Sequence, residues 1–179
     1  DSVTYELVDA EGQVLATAEG LGTVQLAANG ITPWTPETPA LYTLRVTVTA
    51  NGTADTAEQR IGIRTIQVSS KTGLLLNGQP RTMKGGCIHH DLGILGSADH
   101  AAAERRRIRL MKESGFDAIR AAHNPFGPAF LNACDELGML VVEEAFDEWV
   151  MGRTSFGLHV TFEQCWEKDL EDMITRDYN

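Results

Sequence analysis

Three apolar, strand-like runs in the second half of this sequence each end in a polar cluster, and helix-like segments separate them. The clusters are His89-His90-Asp91, Arg120-Ala-Ala-His123-Asn124-Pro125 and Glu143-Glu144-Ala-Phe-Asp147-Glu148-Trp149. Core packing explains a strand that is apolar along its length. It does not explain charge confined to the exit, three times in succession. Strand, helix, strand, helix, strand, loop, helix predicts a parallel sheet with right-handed crossovers. On such sheets and barrels the ligand site forms where the strands exit. One pocket built from neighbouring strand ends is therefore expected.

The elements can be placed individually. Leu74 to Leu76, Asn77-Gly78 and Arg81 to Gly85 read as a hairpin with a type I′ turn. Its second arm leads into Cys87-Ile88. A helix follows over about 100–114, with Ser97 or Asp99 as N-cap and Gly115 beyond its end. Phe116 to Ala122 is the second strand. Pro128 opens the next helix and Gly138 stops it. Met139 to Val142, wholly apolar, is a strand buried on both faces. Thr161 and Gln164 fit a capping box for the last helix.

The first third has a different period. Leu44, Val46 and Val48 alternate with Arg45, Thr47 and Thr49, as in a half-buried antiparallel strand. Asn51-Gly52 is a hairpin signal. Tyr5 with Leu7 and Val24 with Leu26 alternate over shorter runs, and a further strand is expected over about 57–66. About five strands fit before residue 67, fewer than the roughly seven of a complete immunoglobulin-like sandwich.

Composition excludes several classes. The net charge of -10 is wrong for a phosphate-binding surface, so no nucleic-acid partner is expected. No run is long enough for a membrane span. Arg105 to Arg107 with Arg109 read as a solvated helix face, with a partner site as the alternative. Cys87, Cys134 and Cys165 fit no CxxC pattern and read as reduced, partly buried thiols. The sequence begins at Asp1 rather than Met, so an excised piece of a longer protein is expected, and its compartment, cytoplasmic or exported, is open.

Each cluster has two readings. Period two places Ala118, Arg120 and Ala122 on one face, with room around the guanidinium and a need for an anionic partner. That partner is either a sheet-holding salt bridge or a catalytic or substrate carboxylate. Consecutive His89 and His90 point to opposite sides of a strand, so one metal ion rarely takes both. His89, His90 and Asp91 suit hydrogen bonding to sugar hydroxyls or to a carboxylate better. Pro125 fixes a turn that can hold His123 and Asn124 in place. Asp147 and Trp149 combine a hydroxyl acceptor with a stacking surface, or form a solvated loop with one packed Trp. Paired carboxylates suggest glycoside hydrolysis, although spacing along one loop does not set a separation across a bond.

At these residues the sequence resembles glycoside hydrolase family 2, the β-galactosidase and β-glucuronidase group. The likeness runs in order through Trp34-Thr-Pro-Glu-Thr-Pro-Ala-Leu-Tyr-Thr-Leu, Gly62-Ile-Arg-Thr, Leu76-Asn-Gly-Gln-Pro, Lys84-Gly85, Ala118-Ile-Arg-Ala-Ala-His-Asn-Pro, Cys134-Asp-Glu-Leu-Gly-Met and Val142-Glu-Glu-Ala-Phe-Asp. It implies a partial immunoglobulin-like β-sandwich over 1–66. The first three βα units of a TIM (β/α)8 barrel would follow over 67–179. It implies that Arg120 supports the nucleophilic carboxylate. It implies that His89, His123 and Asn124 line the sugar subsite, with Asp147 and Trp149 close by. The Glu-Ala-Phe-Asp-x-Trp form looks more like the β-galactosidase branch.

Two departures stand out. Ile88 replaces an Asn of many relatives. Glu148-Trp-Val150 lacks the His of the Glu-x-His pair that binds magnesium in well-known galactosidases, so no metal and no cofactor are expected. The family's acid/base and nucleophilic Glu residues, at barrel strands four and seven, have no counterpart here, and neither Glu143 nor Glu144 replaces them. The expected partner is a β-galactoside-type carbohydrate, and the parent enzyme is open to homo-oligomerisation. The 179 residues alone are expected to be inactive. The rivals are a non-catalytic carbohydrate-binding or interaction module and a metal-dependent barrel hydrolase.

Overall fold

The computed structural model describes residues 2–178. The chain divides into two compact units, Asp1–Pro80 and Arg81–Asn179. The first holds two antiparallel sheets and the second one parallel sheet.

In the first unit β1 (Ser2–Val8), β2 (Val14–Glu19), β3 (Leu41–Ala50) and β4 (Thr53–Gly62) form an antiparallel sheet in the order β2-β1-β3-β4. Asn51 and Gly52 both take positive φ, 51° and 76°, which gives the β3–β4 hairpin its primed turn. The short alternation at Val24 and Leu26 forms no strand; residues 20–40 are irregular. That loop is anchored instead by Trp34, which is 3% exposed and donates its backbone N–H to Ile63 O over 2.9 Å. A Cβ on Gly62 would lie 3.0 Å from the Trp34 ring, so strand and indole approach closely there.

The hairpin after the sheet is as expected in its first arm. β5 (Ile66–Ser69), β6 (Gly73–Leu76) and β7 (Gln79–Pro80) pair in order, with Asn77 and Gly78 in the turn at φ 51° and 75°. Asn77 also ties this hairpin to the loop below: its side chain accepts from Thr65 N at 2.9 Å and donates to Trp34 O at 3.0 Å. The second arm stops at Pro80. The next strand, β8 (Gly85–Ile88), belongs to another sheet.

That second sheet is parallel and runs in chain order: β8, β9 (Ala118–Ala121), β10 (Leu140–Glu143). Helices α1 (Ala101–Glu113), α2 (Pro128–Leu137) and α3 (Phe162–Asp177) follow the three strands. The three βα units are thus formed. Gly85 is required by close packing, because a Cβ there would meet Ala118 O at 2.5 Å. Ile119 and Ala121 point toward the helices and join Ile108, Phe126, Phe130, Ala133, Cys134 and Met139 in one core. Each of the large residues among these contributes about 1.5–3 kcal/mol through burial.

Two expected caps are absent. The side chain of Thr161 makes no capping bond; its hydroxyl turns back to Leu158 O, because a 3-10 turn over Leu158–Val160 precedes the helix. His100, not Ser97 or Asp99, occupies the N-cap of α1. Asp99 serves the next helix instead, accepting from Ala129 N at 3.0 Å.

Candidate functional site

Register sets the site. Cys87, Arg120 and Val142 lie abreast on three adjacent parallel strands. Their side chains occupy the sheet face opposite the helices. Just beyond them the strands exit, and the polar clusters begin.

Arg120 is the centre of the group. Its Nε and terminal nitrogen donate to Glu144 Oε1 at 2.8 and 2.6 Å. Its other terminal nitrogen reaches Cys87 Sγ at 3.2 Å. Glu144 Oε2 faces His123 Nδ1 at 3.1 Å, and the His89 ring lies 5.1 Å from that of His123. Desolvation raises the Glu144 carboxyl, but the bonds from Arg120 and His123 outweigh it and hold the group below its usual value. Arg120 thus has its anionic partner in Glu144, although the side chain is exposed and not the buried charge expected. Cys87 is exposed, not the partly buried thiol expected of it. Its place was hidden because the register of a parallel sheet is not written in any one strand.

Not every expected residue joins this group. His90 leaves it, as strand alternation requires: its ring stacks on Phe126 at 3.9 Å, and Nε2 meets Asn124 O at 3.2 Å. Asp91 shapes the loop, accepting from Gly93 N at 2.8 Å. Asn124 is exposed beside them. Asp147 and Trp149 line an open groove with Glu148 and Val150 to Arg153. Trp149 is 67% exposed and lies nearly parallel to Phe162, at 8° and 6.4 Å.

The loop after β10 is closed by Glu148, which is 6% exposed. Its Oε2 accepts from Arg153 N at 2.7 Å, and its Oε1 faces His159 Nδ1 at 3.0 Å. The backbone N–H of Arg153 and the His159 side chain bring this carboxyl down to about 2. His159, which carried no signal in the sequence, is thus the partner of Glu148. Among the described residues no group of three or more His, Cys, Asp or Glu is arranged for a metal ion.

The basic run on α1 is not simply a solvated face. Arg107 binds the buried Glu104 through Nε and a terminal nitrogen at 3.1 and 2.6 Å, and donates to His89 O and Asp91 O at 3.0 and 3.2 Å. It fixes the loop that carries the first cluster.

Glu143 points the other way from Glu144, into the helix side. It accepts from Phe126 N at 2.8 Å. Burial and the adjacent Asp177 carboxyl raise it to about 7, against the opposing pull of Phe126 N–H and Arg176. A carboxyl raised in the fold gives stability that is full below its unfolded value and lost as pH climbs to about 7. Glu143→Gln is expected to melt with the parent chain at pH 5. By pH 8 it should melt a few degrees higher, for about 1 kcal/mol after screening. Thermal unfolding across that range measures it; a constant offset would refute the assignment.

Parallel strands with an Arg–carboxylate–His group at their exits match the edge at which barrel folds build their sites. The "Glycosyl hydrolases family 2, TIM barrel domain" model matches residues 66–178, and the "Glycosyl hydrolases family 2" model matches residues 2–64. The chain belongs to glycosyl hydrolase family 2. It combines part of an immunoglobulin-like β-sandwich with the first three βα units of a TIM barrel. It is 37% identical to a beta-galactosidase of Bacteroides ovatus, over 99% of this chain and 22% of that protein. It is 34% identical to a putative beta-glucuronidase of Formosa agariphila, over 97% of this chain and 17% of that one. A family 2 member from Bacteroides cellulosilyticus superposes with a TM-score of 0.92 at 38% identity, over 99% of this chain and 24% of the other. The chain thus spans about a fifth of the length of these two curated relatives.

Proposed function

We propose that this chain forms the binding and orienting wall of an enzyme that hydrolyses terminal, non-reducing β-D-galactosides with retention. The observation that carries this reading is the Arg120–Glu144–His123 group at the exits of three parallel strands. His89, His123 and Asn124 offer hydrogen bonds to sugar hydroxyls, and Asp147 with Trp149 offers an acceptor and a stacking face. Arg120 presents its guanidinium to the nucleophilic carboxylate. Two carboxylates supplied from outside these residues carry out double displacement through a covalent glycosyl intermediate. Glu144 is not one of them, since both its oxygens are engaged.

A galactoside is favoured over a glucuronide by likeness to the Bacteroides ovatus beta-galactosidase.

The test compares nitrophenyl β-galactoside with nitrophenyl β-glucuronide. The purified 179-residue chain is expected to turn over neither. An intact enzyme containing it should favour the galactoside. Appreciable hydrolysis by the chain alone would overturn the division of labour. Tight sugar binding by the chain, with no hydrolysis from any longer form, would favour a non-catalytic binding module.

A further inference from the structure

The two oxygens of Glu144 serve different masters. Oε1 takes two N–H bonds from Arg120, and Oε2 faces His123 Nδ1. Nδ1 has a second neighbour, the Arg120 terminal nitrogen, at 3.5 Å. These neighbours make opposite demands. Arg120 has only protons to offer, so it would require a bare, accepting Nδ1. Glu144, when ionised, only accepts, so it requires Nδ1–H. The carboxylate contact is shorter, 3.1 against 3.5 Å, and charge-assisted bonds to a carboxylate are the stronger kind. The Arg120 terminal nitrogen nearest Nδ1 is also the one that donates to Glu144 Oε1 at 2.6 Å.

We propose that Glu144 is a positioning residue that fixes the neutral tautomer of His123: the proton sits on Nδ1, and Nε2 is left as a hydrogen-bond acceptor. In the proposed enzyme, and resting on that reading, Nε2 would accept from a sugar hydroxyl. A His with fixed polarity reads a hydroxyl's proton; one free to switch tautomers offers either a donor or an acceptor and discriminates less. The same carboxylate holds the Arg120 guanidinium flat against the strand exits. One residue thereby sets the direction of two.

The tautomer can be read without activity. The 15N-labelled chain at pH 8.5 would give the two-bond 1H–15N pattern of the His123 ring, assigned by its loss in His123→Gln. The wild-type chain is expected to show the Nδ1–H form. Glu144→Gln keeps an oxygen for Arg120 but turns an amide N–H toward Nδ1, so the ring should switch to Nε2–H. Wild-type chain in the Nε2–H form would overturn the proposal, whatever the variant does. So would a Glu144→Gln ring that stays unchanged. In the intact enzyme Glu144→Gln should lower kcat/KM about 10- to 100-fold, mostly through KM, the scale of losing an orienting partner. A loss chiefly in kcat would instead make Glu144 part of the chemical step and overturn the positioning role. If the intact wild-type enzyme hydrolyses no galactoside, the functional reading fails while the tautomer result still stands or falls on its own.

Discussion

Replacing Arg107 with methionine is expected to destabilise the Arg81–Asn179 unit by about 3–5 kcal/mol, the cost of leaving a buried charge without its partner. Glu104 is 4% exposed and receives Arg107 through both oxygens. The same guanidinium satisfies His89 O and Asp91 O and lies 5.7 Å from the centres of both Phe126 and Phe130. One substitution therefore strands a carboxylate, two carbonyls and two ring faces. Few single changes touch so many named causes of instability. The double variant Glu104→Gln/Arg107→Met should recover a large part of the loss, because the uncompensated charge goes with it. Urea unfolding of the three proteins decides the matter. A loss under about 1 kcal/mol for Arg107→Met, the range of exposed pairs, would show that the pair behaves as a surface ion pair.

Replacing Arg120 with leucine should do the opposite: little to stability, much to activity. Its side chain is 47% exposed, and pairs this accessible contribute little to folding. The melting temperature should stay within about 2 °C of the parent chain. In an intact enzyme, however, kcat/KM for nitrophenyl β-galactoside should fall about 100- to 1,000-fold, the cost of removing a preorganised donor beside developing charge. If activity survived, Arg120 would be a strut of the sheet and nothing more. If instead the fold collapsed, the same conclusion would follow from the other side. Arg107 and Arg120 would then separate two uses of a guanidinium in one α/β unit: one holds a loop, and the other, under the proposed function, faces the catalytic carboxylate.

Much of this was legible in the residues. Period two placed Arg120 away from the helices with Ala118 and Ala122, and Glu144 is its acid, although the side chain lies exposed where a buried charge was expected. The Asn51-Gly52 and Asn77-Gly78 pairs announced their turns, and Pro128 announced the start of α2. What escaped depended on partners distant in the chain. Val24 and Leu26 alternate, yet they lie in the irregular segment over 20–40. Asp99 has the chemistry of an N-cap, but which helix it caps is decided by the approach of α2, not α1. Cys87 and His159 became informative only when register and a loop closure brought them to Arg120 and Glu148. Arg107 was hidden within a basic run, since burial of one member of such a run is a tertiary event.

The β8-β9-β10 sheet runs in chain order, each strand beside its predecessor. That arrangement has a consequence at the ribosome. β9 finds its pairing edge already made by β8, and β10 finds its own already made by β9. Ordering can accrete with the emerging polypeptide, N-terminal strand first. The face that carries Cys87, Arg120 and Val142 is thus laid down strand by strand during synthesis.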